Sequence, residues 1–302
     1  MKTSLSSIAA TLVIGLACAT SAFAVGDFQL LDDGTGSQMV CTDGNRAYVL
    51  KQNGNVWENS FGQWNMIDNG TGSLSIAADS GYVYVLKQDG SVWQRAFGQW
   101  NRIGSAGSRQ MVAAGTRLFT LESNDDVFEF NPANWFQKWS KIDNGSQTRM
   151  IAADRQGNCY VLKNTGNIFR WLGAMNWDLL DNGTGTDQIA ASDGRVYALK
   201  NTGNIFRYWG QWGMIDDGQG TKQIKGDGAF FYALKQNGNT WMFRDERWSM
   251  VDNGAGTRMI DAKDGDLLVM KDNGNVFLGH ANTFQSGPFA PQVTNFNQLH
   301  GN

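Results

Sequence analysis

A carboxylate, an amide and an ammonium group recur together along this chain. Asp68 and Asn69, Asp143 and Asn144, Asp181 and Asn182, Asp216 and Asp217, and Asp252 and Asn253 each precede a glycine, and they alternate with Lys51, Lys87, Lys163, Lys200, Lys235 and Lys271. Sugar hydroxyls both donate and accept hydrogen bonds, so closely set carboxylates, amides and ammonium groups suit them as a ligand-binding ring. Several weak equivalent sites would gain avidity on a repetitive surface. The same residues have a second use. Asp or Asn before Gly closes a turn by bonding its own backbone, and a lysine can pair with a neighbouring aspartate as a solvated rim contact.

Other chemistry finds less material. Trp135 and Phe136, in the insertion 131–136, together with Trp171 and Met175 of the next unit, supply a second candidate patch for a glycan or a protein. Rings in such loops also serve by packing beneath them. The histidines are His280 and His300, near the end of the chain, so a histidine triad or a histidine-rich metal site has no framework. No metal and no cofactor is expected. The run Asp89 to Trp93 is similar to the Asp box of sialidases, but its Asp and Gly are adjacent where that motif spaces them. A glycosidase would need two facing carboxylates at a fixed separation.

The elements that position these groups follow from a repeat. An aromatic residue is followed four residues later by Asp in the pairs Phe28/Asp32, Trp64/Asp68, Trp139/Asp143, Trp177/Asp181, Trp212/Asp216 and Trp248/Asp252, while Trp100 is followed by Gly104 in the one unit that loses the acid. The seven openings are 36, 36, 39, 38, 35 and 36 residues apart, a period that signals a repeat architecture. Within a unit, short apolar and aromatic runs separated by Asn-Gly, Asp-Gly or Thr-Gly predict four strands joined by hairpins. Apolar residues on both faces, as in Phe230 to Leu234, call for cover on two sides.

Small sheets of this kind cover one another by stacking around an axis as propeller blades. The innermost strand must be slim, and Ile76-Ala77-Ala78 or Ile189-Ala190-Ala191 fits that place, with bulk growing outward through Tyr48, Tyr84 or Tyr160 to the tryptophans. The predicted fold is all-β, a seven-bladed β-propeller of four-stranded blades. Unit seven lacks its outer strand and the chain starts with an orphan copy of it, so Phe28 to Asp32 is expected to complete blade seven and pair an open edge. Lys225 and Asp261 follow Ile224 and Ile260 at one position of the inner strand, and are expected to pair across blades six and seven as a structural ion pair.

Residues 1–24 carry Lys2, an apolar run from Ile8 to Ala17 and the small-x-small Ala22-Phe23-Ala24, the pattern of a cleavable signal peptide with a mature start near Val25. Residues around Cys18 fit a lipobox poorly. The propeller is assigned to 25–280 and a loosely packed or disordered tail to 281–302, with Pro288 and Pro291. A net charge of -3 with 18% charged residues gives no basic field for nucleic acid. No later segment is apolar enough to span a membrane. Cys41 and Cys159 fall in units one and four, too far apart for a disulfide.

The pattern W..ID.G......I...DG.VYALK..GNI.R....W, running from Phe28 to Gly279, resembles the tectonin repeat of secreted and innate-immune lectins, including tachylectin-type propellers. The resemblance implies a propeller that binds sugars or surface polysaccharide. The units here are short with clipped loops, so contacts made by longer loops do not carry over. The expected protein is a monomeric, secreted or periplasmic, noncatalytic carbohydrate-binding propeller. The alternative is a protein-binding scaffold of the cell envelope, and a glycosidase ranks third.

Overall fold

The computed structural model describes residues 27–284 apart from positions 71, 105, 219 and 255. The expected leader and residues 285–302 of the expected tail lie outside the described residues. Twenty-eight strands form seven four-stranded antiparallel sheets, and no helix occurs among the described residues. Chain order runs from the inner strand of each blade outward. Blade one spans 37–68, blade two 73–104, blade three 108–143, blade four 148–181, blade five 186–216 and blade six 221–252. Blade seven combines Thr257–Lys263, Asp266–Lys271 and Val276–His280 with the N-terminal strand Gln29–Asp32, which pairs as Gln29↔Leu278 and Leu30↔Phe277. The ring is closed as the orphan repeat required.

The turns behave as their residues dictate. Gly54 takes φ +87° at the hairpin after the second strand, and Asp125 takes φ +70° at the same place in blade three, where no glycine is available. Tyr48, Tyr84, Phe119, Tyr160 and Tyr232 of the second strands are fully buried. The core lies between blades: Tyr48, Leu50 and Val56 of blade one pack on Ile76, Ala78 and Val85 of blade two. Cys41 and Cys159 are buried free thiols, and burial raises the pKa of each.

One feature was not foreseen. The third and outer strands of every blade lose register just before the last residue: Val56 pairs with Asp68 and Trp57 with Met66, leaving Ile67 as a bulge. Its carbonyl turns to the neighbouring blade and accepts the indole N–H of Trp100 at 2.7 Å. The same link joins Trp64 to Leu31, Trp139 to Ile103, Trp177 to Ile142, Trp212 to Leu180 and Trp248 to Ile215. Aromatic and acid are therefore four apart because the tryptophan reaches back one blade while the acid reaches forward one.

The first residues of the assigned tail, 281–284, rest on blade seven. Ala281 is buried and donates its N–H to Gly265 O at 2.7 Å, and Phe284 stacks on Phe28 with ring centroids 5.5 Å apart. Gly279 leaves room for this, since a Cβ there would stand 2.7 Å from both rings. Residues 281–284 thus cap blade seven with a buried apolar contact.

Candidate functional site

Connections alternate between the two ends of a blade, so the outer-to-inner loop and the hairpin after the second strand share one rim, as the sequence indicates. There the predicted aspartates and lysines meet each other. Lys87 Nζ, at the end of the second strand of blade two, lies 2.6 Å from Asp68 Oδ2 at the end of blade one, and 2.9 Å from Ser73 Oγ, which heads the inner strand of blade two. Asp68 Oδ1 accepts the Gly70 N–H at 2.9 Å. Gly70 has to be glycine for this approach, because a Cβ would lie 2.8 Å from both Lys87 Nζ and Asp68 Oδ1.

This clasp recurs at six of the seven seams. Lys51 meets Asp32 at 2.5 Å, Lys163 meets Asp143 at 2.8 Å, Lys200 meets Asp181 at 2.8 Å, Lys271 meets Asp252 at 2.7 Å, and Lys235 pairs with Asp216. Both partners are mostly shielded, Lys87 being 17% and Asp68 16% exposed. The clasp consumes the acid and the ammonium that were expected to face a ligand. Asn69, Asn144, Asn182, Asp217 and Asn253, the second residues of each pair, remain exposed. The predicted ring thus divides into an internal ion-pair set and an outer set of amides with one carboxylate.

The seam between blades two and three departs from this pattern. Gly104 stands where the aspartate would be and Glu122 where the lysine would be, while Ser108 keeps its place and donates to Glu122 Oε1 at 2.7 Å.

Beside the clasps the same rim holds cavities with aromatic walls. One of about 570 Å³ lies between Trp57 and Trp64 and is edged by Gln52, Asn53 and Asn55. A second, of about 660 Å³, has Trp93 and Trp100 with Gln88, Asp89 and Arg102. Flat rings beside amide and charged groups can stack on one face of a ligand and bond its edge.

The opposite rim carries the hairpins between third and outer strands, whose tips on blades one to five expose apolar side chains. Phe61, Phe97, Trp135 and Phe136 are 101%, 98%, 92% and 102% exposed on the tips of blades one, two and three. Leu172 and Met175 continue the series on blade four and Trp209 on blade five, where Arg195 lies over its ring at 4.8 Å. Asp245 and Glu246 end it at blade six. Phe61 and Phe97 adopt φ +53° and +50°, a left-handed conformation that costs a bulky side chain free energy.

Trp171 does not join this patch. It faces inward in the strand Ile168–Gly173 and meets Phe119 of blade three edge-on at 6.2 Å. Its place in the next unit groups it with Trp135 and Phe136 in sequence, but strand alternation turns it into the core. Phe61, Phe97 and Trp209 were not among the expected site residues. Their signal was a large aromatic directly before glycine at a hairpin tip, where asparagine would serve the turn better.

At the axis, Lys225 Nζ meets Asp261 Oδ1 at 2.8 Å, as expected, and the nearby carboxylate raises the Lys225 pKa. Lys263 of blade seven also reaches the buried Asp79 of blade two at 2.5 Å, and Arg155 of blade four pairs with Asp264 of blade seven. A channel of about 430 Å³ remains, lined by small and apolar inner-strand residues such as Ala77, Ala113 and Ile189. Asp227 accepts the Gly265 N–H at 2.7 Å and that of Asp264, and burial pushes its pKa up to about 6. Among the described residues no three His, Cys, Asp or Glu side chains converge to hold a metal ion.

No family model matches the chain, and no curated protein matches it. Solved structures do. YCF48 from Cyanidioschyzon merolae is similar at TM-score 0.64 and 13% identity, covering 85% of this chain and 99% of that one. PorZ, a bacterial surface component of the type-IX secretion system of Porphyromonas gingivalis, gives 0.67 at 9% identity over 89% of this chain and 40% of that one. Prp20p from Saccharomyces cerevisiae gives 0.62 at 11% identity, with 80% and 81% covered. At such identities the likeness is one of fold.

Proposed function

We propose that this chain is a noncatalytic propeller that holds a protein partner on the rim bearing the exposed aromatic crescent. The observation that carries the reading is the full solvation of Phe61, Phe97, Trp135 and Phe136 on three consecutive blades. Large aromatic side chains left in solvent at the tips of three consecutive blades present one edge of the ring to a partner, and aromatic side chains dominate the binding energy of protein interfaces. Neither turn geometry nor packing accounts for Phe61 and Phe97, which sit at positive φ with their rings in solvent. Similar propellers offer precedent: YCF48 has been solved bound to D1 peptide, yeast Prp20 bound to Kap60, and Prp20p is described with binding properties toward Gsp1p and histones. The leader-like residues 1–24 support a site of action outside the cytoplasm, which sequencing the N-terminus of the mature protein checks.

The test is photo-crosslinking from Gln63 and Gln99, exposed beside the tips of blades one and two, in the native host, compared with a variant that also carries Phe61→Ala, Phe97→Ala, Trp135→Ala and Phe136→Ala. A discrete partner whose capture is lost in the variant at unchanged melting temperature supports the reading. Capture that ignores the four substitutions overturns it.

A carbohydrate reading stands second, favoured by the cavities beside Trp57 and Trp93 and by the tectonin-like repeat. Saturable binding on a glycan array, lost on Trp57→Ala or Trp93→Ala and untouched by the four crescent substitutions, would put it first.

A further inference from the structure

Six seams of this ring share one arrangement, and the seventh inverts it. At the six, a lysine ammonium lies between an aspartate of the preceding blade and a Ser or Thr hydroxyl of its own blade, with Nζ to Oγ distances of 2.9, 2.9, 2.6, 2.8, 2.7 and 2.6 Å. Between blades two and three the aspartate has become Gly104, the lysine has become Glu122, and the connecting loop is one residue shorter, with four steps from Gly104 to Ser108 against five from Asp68 to Ser73. A seam that had simply given up its ion pair would need no charge there. This one keeps the hydroxyl, removes the chain's own cation and installs an anion in the cation's place.

The space remains. A cavity of about 550 Å³ opens at this seam, comparable with those beside Lys51 and Lys87, and its walls include Phe128, Trp139, Gly104, Ser108 and Glu122. Asp126 also borders it, but Lys141 neutralises that carboxylate at 2.5 Å. Glu122 has no such partner: among the described residues no cation pairs with its carboxylate. Its Oε1 accepts the hydroxyls of Ser108 at 2.7 Å and Thr120 at 3.2 Å, which leaves Oε2 to receive a donor.

We propose that this seam is a receptor for a primary ammonium group from outside the chain, a lysine side chain or a free chain terminus, which pairs with Glu122 over the space that Gly104 leaves where an aspartate stands at the other six. The ammonium would donate to Glu122 Oε2 and to the Ser108 hydroxyl, with its methylene stem against Phe128 and Trp139. An ammonium fits better than a guanidinium, because planar bidentate pairing needs both carboxylate oxygens and Oε1 already accepts two hydroxyls. A hard metal ion would require more oxygen ligands than one carboxylate and one hydroxyl supply. The seam lies on the rim opposite the aromatic crescent, so it is a separate site from the one assigned to a protein partner.

The experiment uses the full chain and saturation-transfer NMR with acetyl-Gly-Lys-Gly-amide as probe. The Nε-acetylated peptide removes the charge, triglycinamide presents a free terminus in place of the side chain, and calcium chloride tests a metal. Saturable binding of one of the two amine probes, weakened at least tenfold by Glu122→Gln and abolished by Gly104→Asp with Glu122→Lys, is the expected result, and whichever amine binds identifies the source. The double variant rebuilds the common clasp, so its melting temperature should rise; if it does not fold, Glu122→Gln alone decides. The four crescent substitutions should leave probe binding unchanged. Equal binding by the acetylated peptide, indifference to Glu122→Gln, binding of neither amine, or displacement of the amine by calcium overturns the proposal.

Discussion

Trp100 and Ile67 belong to neighbouring blades, and the indole of the first donates to the bulged carbonyl of the second at 2.7 Å. The carbonyl has left its own sheet to make that bond. Trp100→Phe should therefore orphan a shielded acceptor while keeping most of the ring contact, at a cost of about 1–2 kcal/mol in urea unfolding. The chain contains its own control, since blade seven places Phe28 at the corresponding position, where no indole can reach back to Val251. Phe28→Leu should cost only packing against Phe284, and no hydrogen bond.

Removing Lys87 leaves Asp68 shielded beside Ser73 with no counter-charge. Lys87→Met is expected to destabilise the ring by about 1–3 kcal/mol, and the further change Asp68→Asn to restore part of that loss, because the cost lies mostly in the stranded carboxylate. Chemical denaturation of the single and double variants measures the coupling. Additive losses would show that the two groups do not act as a pair.

The buried carboxylate of Asp227 titrates at about 6 in the folded protein against an ordinary value of 3.8. Burial raises the folded pKa, so the folded state holds its proton more tightly than the unfolded chain does. This contribution to stability is complete below about pH 4 and is lost as pH rises through 6, amounting to about 3 kcal/mol for a shift near two units. Lys263, bonded to Asp79, and Asp264 lie close by and moderate it in opposite directions. Asp227→Asn should flatten the urea midpoint between pH 4 and pH 7, relative to the parent chain. A parent-like slope in that variant would assign the pH dependence to another group.

Phe61 pays for a left-handed backbone without burying its ring. Phe61→Asn, better suited to φ +53°, should leave the fold as stable or raise it by up to about 1 kcal/mol while lowering partner capture. Thermal melts and crosslinking yields on the same samples check both halves. A marked loss of stability would mean that the ring has a packing role.

The fold was legible because each of its determinants is local or periodic: the aromatic-to-acid spacing, the slim Ile-Ala-Ala inner strands, the Asn-Gly turns and the orphan Phe28 to Asp32. The role of Asp68 and Lys87 was not. They are 19 residues apart and become neighbours only when one blade docks on the next, so the same letters served equally well for a ligand ring or an internal clasp. Trp135 and Trp171 look alike as residues, yet the first lies in the loop between Phe130 and Trp139, in solvent, while strand alternation turns the second onto Phe119. At the seam between blades two and three, the loss of the acid at Gly104 was visible, yet its meaning depended on Glu122, whose place opposite it emerged from the ring geometry.

Joining the first strand to the last has a consequence in time. Among the described strands Gln29–Asp32 comes first in the chain, yet its partner Val276–His280 comes last. The earliest strand must therefore wait, unpaired, while some 240 residues follow it, and the loop that it finally closes is the longest in the molecule. Six blades can assemble in sequence as they emerge, and the seventh forms only when the two ends find each other. A chain cut before residue 276 would hold an open arc with a sticky edge, which makes the pairing of these two strands the closing step of the ring.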